Sequence, residues 1–152
     1  MSFAACLLVM SGGALGTLAR YAVSVLALPV SRDLPWGTTI IINVTGSLAI
    51  GLFATLTLAH GRYPVSESVR LFVMGGPCGG YTTLSAFGLQ TLDLMRSGAM
   101  LRAVINVGVS VVLCIRAVAL GHVVAAHLNG RTKQVAQTFI VESGQTQGTD
   151  RE

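Results

Sequence analysis

Charged residues leave long stretches of this chain untouched. Residues 1–19, 34–61, 71–92, 103–115 and 117–130 contain no Asp, Glu, Lys or Arg. A helix needs about 20 mainly apolar residues to cross the hydrocarbon of a bilayer. The pattern predicts four such helices, over 3–28, 37–60, 69–95 and 101–128. A secretory leader is the alternative reading of the N-terminus. That stretch lacks a positive n-region, and its apolar character continues past Ser11 to Leu28, so it reads as a span.

The expected connections are short. Pro29 to Pro35 carries Arg32 and Asp33 and ends the first span, and Trp36 follows it as an interfacial anchor. His60 to Ser68 joins the second and third spans, and Arg96, Ser97 and Gly98 turn the chain before the fourth. Four spans put both termini on one side. That side carries Arg62, Arg70, Arg131, Lys133 and Arg151, and the opposite side Arg20, Arg32, Arg96 and Arg102. Without Arg151, far out on the tail, the two sides are equal, so the positive-inside rule selects no orientation. Two readings stay open: span boundaries displaced by a turn, or dual topology, with copies inserted both ways.

Composition agrees with a membrane protein. Of 152 residues, 52% are hydrophobic and 11% charged, and mean hydropathy is +0.69. A soluble domain carries about 25% charged residues. Residues 1–128 read as one membrane domain and 129–152 as a flexible polar tail. The formal charge of +4 does not indicate nucleic acid, because no Lys/Arg cluster alternates with aromatics. Cys6, Cys78 and Cys114 form neither a disulfide framework nor a metal-binding spacing.

The span interiors hold neutral polar groups and no carboxylates; Asp93 comes nearest, in the last turn of the third span. Proton-coupled transporters commonly use buried carboxylates, so that class is disfavoured. No Ser/His/Asp or Glu/His set converges, so the chain does not read as an enzyme. His122 and His127, five apart, read as interfacial. Thr39, Asn43 and Ser47 form one stripe at four-residue spacing, as do Asn106, Ser110 and Cys114, while Gly12, Gly16 and Arg20 line up on the first span. Helix packing explains the glycines. For Asn43 and Asn106 packing competes with donation to an anion. The segment 75–83, GGPCGGYTT, predicts a break in the third span near its middle. Irregular backbone at membrane depth is tolerated where it is buried in protein or lines a cavity.

At this point the chain resembles the CrcB/Fluc family of fluoride channels. The resemblance lies in GGALGTLARY at 12–21, GTTIIINVTGSLAIG at 37–51, CGGYTTLSAF at 78–87 and the Leu120–Gly121 pair. It implies an all-α membrane protein of four transmembrane helices, the third broken near its middle, assembled as an antiparallel, dual-topology homodimer. It also implies two narrow passive fluoride pathways in a cell membrane, and a Na+ ion at the dimer interface held by the backbone carbonyls of Gly79 and Thr82. The anion pathway falls on Asn43, Thr83, Ser85, Phe87 and Ser110, with Arg20 near an aqueous vestibule.

Some positions depart from the family. Leu84 replaces the first phenylalanine of an aromatic pair, and Phe87 keeps the second. Ala86 lacks a hydroxyl, and Gln90 stands where an acidic residue is common. Arg116 puts a charge near the centre of the fourth span. Leu84 and Arg116 together motivate an alternative, one subunit of a heterodimeric channel. A small dual-topology multidrug transporter and a non-conducting assembly subunit are the other readings.

Overall fold

The computed structural model describes residues 3–29, 34, 36–57 and 63–149, and of residues 131–149 the backbone alone. Arg32, Asp33 and the end of the second span at 58–60 lie outside the described residues. All regular structure among the described residues is helical: α1 (Phe3–Leu26), α2 (Gly37–Leu56), α3 (Glu67–Val73), a π-helical segment (Met74–Cys78), the single turn α4 (Gly79–Tyr81), α5 (Leu84–Arg96) and α6 (Met100–Thr149). The chain is an all-α membrane protein. α1, α2 and residues Met100–Gly130 of α6 are long and apolar enough to cross a bilayer. The region expected as the third span, 69–95, holds α3 to α5, and its helix is interrupted at Thr82 and Thr83, at the end of the segment 75–83.

Its local chemistry explains the interruption. Pro77 has no N–H and crowds the carbonyl four residues back, and the helix absorbs this by widening to π geometry around it. Thr82 (φ −74°, ψ 157°) and Thr83 (φ −146°, ψ 107°) are then extended. The Cys78 carbonyl accepts both the Thr82 N–H and the Thr82 hydroxyl, each at 3.2 Å. Thr83 restarts the helix as N-cap of α5, its hydroxyl accepting the Ala86 N–H at 3.2 Å. Gly98, at φ 77°, makes the turn into α6.

Two packed seams place these elements. α2 lies along α6, and α1 lies along the broken segment. In the first seam a methyl group on Gly51 would collide with the Val118 carbonyl, and one on Gly121 would come within 2.6 Å of the Leu48 carbonyl oxygen. In the second, a methyl on Gly16 would sit on the Pro77 carbonyl, and one on Gly80 would lie 2.5 Å from the Gly13 carbonyl oxygen. Small residues that admit close backbone approach are the usual device of membrane helix packing.

α6 does not end at residue 128. Its helix runs on through the polar segment to Thr149.

Candidate functional site

The two extended residues at the break lie between two clefts. One, of about 360 Å³, is walled by Asn43, Ser47 and Ile50 of α2, Thr82 to Leu84 and Phe87 of the third span, and Ser110 and Cys114 of α6. The other, of about 510 Å³, is walled by Thr17, Arg20 and Ser24 of α1, Thr38 and Thr39 of α2, and Ala86 and Gln90 of α5. Thr83 belongs to the walls of both.

Asn43 is fastened to the break by both ends of its amide. Its Nδ2 donates to the Thr83 carbonyl at 3.1 Å, and its Oδ1 accepts the Thr83 N–H at 2.8 Å. An amide nitrogen carries two hydrogens, so one donor remains after this clamp. Thr83 is 8% exposed, and a buried backbone pair left unmatched is costly; Asn43 satisfies both groups. The sequence reading of Asn43 as packing residue or anion donor therefore joins into one residue that serves the backbone and keeps a donor in reserve.

Ser110 is buried in the wall of the first cleft, and its hydroxyl points to Asn106 Oδ1 at 3.4 Å. That separation is long for a hydroxyl donor, so the proton is only loosely committed. Asn106 itself, 1% exposed, donates to the Thr91 hydroxyl at 3.0 Å, and Thr91 donates to the Phe87 carbonyl at 2.8 Å. Asn106 thus braces α6 against α5 beneath the cleft. Thr91 escaped the sequence reading; its signal was the four-residue spacing from Phe87.

Other expected residues separate. Phe87 lines the first cleft and Arg20 the second. Ser85 is exposed, lines neither of these clefts, and its hydroxyl lies 3.4 Å from the Thr83 hydroxyl. Thr82 lines the first cleft, and Gly79 is exposed on the turn before it. Leu84 is 80% exposed. Arg116 is exposed on α6 and lines neither cleft. The His122 Nδ1 pairs with the Thr55 hydroxyl at 2.9 Å. That hydroxyl donates to the Gly51 carbonyl, so the histidine supplies the hydrogen of the pair.

Chemically, the described residues in the walls of the two clefts offer amide and hydroxyl donors, the aromatic rings of Phe87 and Tyr21 and one guanidinium, and no carboxylate. Such walls suit a small anion that sheds its water.

Comparison with known proteins agrees with this chemistry. The profile of the family described as CrcB-like protein, Camphor Resistance (CrcB), matches residues 7–122. A protein of Methylobacterium radiotolerans named Fluoride-specific ion channel FluC is 74% identical over 144 residues, covering 95% of this chain and 100% of its own. A protein of that name from Gluconobacter oxydans is 64% identical over 142 residues, 93% of this chain and 99% of its own. Another, from Rhodospirillum rubrum, is 49% identical over 124 residues, 81% and 95%.

Proposed function

Because the chain belongs to the CrcB-like family, we propose that it is a fluoride-selective channel, letting fluoride leave the cell passively and so lowering its concentration inside. The observation that carries the reading is the position of Thr83, in the walls of the Arg20 cleft and of the Asn43–Ser110 cleft at once. An ion passing from one to the other passes the break.

The steps follow from the residues. Arg20 attracts anions to the wet mouth. Fluoride is small and strongly hydrated, so its water must be replaced by donors along the way. The Thr83 hydroxyl, the remaining Asn43 amide hydrogen and the Ser110 hydroxyl are such donors. The edge of the Phe87 ring carries partial positive charge and steadies the ion without trapping it. Conduction requires binding favourable enough to enter and weak enough to leave. Ser85, outside both clefts, acts through its contact with Thr83.

The assembly we propose is four spans per chain, with α3 to α5 counted as the third, and two chains inserted antiparallel in a cell membrane. The near-equal cation count on the two sides supports dual topology. In such a homodimer the carbonyls of Gly79 and Thr82 from both copies would hold a Na+ ion. The donor set fits, since neutral carbonyls of unwound helix are the usual ligands of sodium in membrane proteins. When bound, the cation adds positive potential beside the paths and ties the subunits together. A second reading, a heterodimer, is favoured by one feature: exposed Leu84 stands where the family has a phenylalanine, and a different partner would supply that ring.

Efflux from liposomes tests the proposal. Purified protein is expected to release fluoride faster than chloride with no pH gradient. Equal rates, or no release, refute the channel; fluoride release by this chain alone refutes the obligate heterodimer.

A further inference from the structure

The clamp between Asn43 and Thr83 sets more than the position of one side chain. In an uninterrupted helix the Thr83 N–H would donate to the Gly79 carbonyl, four residues back. Here it donates to Asn43 Oδ1 at 2.8 Å. The Ala86 N–H, whose helical acceptor would be the Thr82 carbonyl, donates instead to the Thr83 hydroxyl at 3.2 Å. The two carbonyls deprived of their helical donors are the two assigned above to the cation. One diversion is made by Thr83 itself. The other needs a residue from a different span, and that residue is Asn43.

We propose that Asn43 is a positioning residue for the cation site: by holding the Thr83 N–H away from the Gly79 carbonyl, it keeps that carbonyl available to Na+. The inference rests on the sodium reading above. Its physical basis is the burial of Thr83, 8% exposed, where an N–H without an acceptor is not tolerated. With Asn43 removed, the Gly79 carbonyl is the acceptor that helix geometry supplies. Taking it closes the break and occupies a cation ligand. The second bond, from Nδ2 to the Thr83 carbonyl at 3.1 Å, grips the same residue and holds it extended. One side chain thereby serves both ions, since Asn43 also lines the first cleft and keeps one amide hydrogen uncommitted.

The test is the melting temperature of the purified full-length protein in detergent, titrated with Na+ against N-methyl-D-glucamine at constant ionic strength. The wild type is expected to show a saturable rise. Asn43→Ala should need about tenfold more Na+ for half the rise, the worth of one hydrogen bond that orients a ligand. Asn43→Asp, which keeps an acceptor for the Thr83 N–H, should need no more Na+ than the wild type. Thr55→Val, in the seam between α2 and α6 where its hydroxyl meets His122 and the Gly51 carbonyl, should need the same Na+ for half its rise as the wild type. If Asn43→Ala does not fold, Asn43→Ser, too short to reach Thr83, carries the same expectation. Wild-type Na+ dependence in the Ala or Ser variant overturns the proposal, as does a weakened response in Asn43→Asp. No Na+-dependent rise in the wild type overturns the sodium reading itself, a separate failure.

Discussion

Where α2 meets α6, two glycines admit the neighbouring backbone and side-chain hydrogen bonds finish the seam. Gly51 and Gly121 give the close approach. Beyond them Thr55 meets His122, and Asn129 donates to the Thr55 carbonyl at 3.1 Å. Where α1 meets the broken third span, backbone lies against backbone over a longer stretch. Gly12, Gly16, Gly76, Pro77 and Gly80 all sit in that contact. The first seam is a pair of regular helices, each with its own peptide bonds satisfied. The second holds a segment whose peptide groups have been rearranged, so it must fix that segment in place as well as bury it. The comparison teaches that the irregular segment proposed to carry the ion path depends on its neighbours for both its backbone hydrogen bonds and its position.

The sharpest way to break the contrast is at Gly16. A side chain there meets the Pro77 carbonyl, and neither backbone has room to yield. Gly16→Leu should cost more than about 4 kcal/mol, the range of severe overpacking, and abolish the monodisperse peak in size-exclusion chromatography. Next is Asn43→Ala, which loses the clamp and a donor together. Fluoride efflux should fall about ten- to a hundredfold, corresponding to hydrogen bonds to a charged group at about 1.5–3 kcal/mol. Unchanged flux would reduce Asn43 to packing. Ser110→Ala removes one loosely committed hydroxyl, and efflux should slow about fivefold, near the 1 kcal/mol of a single net hydrogen bond. The smallest effect on transport belongs to the other seam. Thr55→Val gives up the His122 and Gly51 bonds and should lower thermal stability by about 1 kcal/mol with efflux unchanged. A loss of flux in that variant would erase the distinction between the two seams.

The sequence made the spans legible because charge is so costly in hydrocarbon that its absence marks them. It made the break legible to within a few residues: the glycines and proline stay helical, as the π-helical segment and α4, and the chain is extended at Thr82 and Thr83, the last two residues of the segment 75–83. Four-residue spacing put Asn43 and Ser110 each in a polar stripe, and both stripes reach the wall of the first cleft. Spacing within one helix is silent about what lies across from it. That Asn43 meets the Thr83 peptide, that Asn106 meets Thr91, and that Thr55 meets His122 depend on how far one span is slid along another. Ser85 shows the converse limit. It stands between cleft residues Leu84 and Phe87 in sequence, yet a single residue step on α5 turns it out of the cleft wall. Among the described residues α1, α2 and Met100–Gly130 of α6 are long and apolar enough to cross a bilayer; over 69–95 the helix is divided into pieces, none of which is that long alone.

The glycine face of α1 has a consequence for how the chain is made. Gly12 and Gly16 meet Phe72, Gly76 and Pro77, which are synthesised some sixty residues later. When α1 first enters the bilayer its complement does not yet exist, and acyl chains must fill the groove. The seam between α1 and the broken segment can thus close only by displacing lipid once that segment has been made, after both α1 and α2.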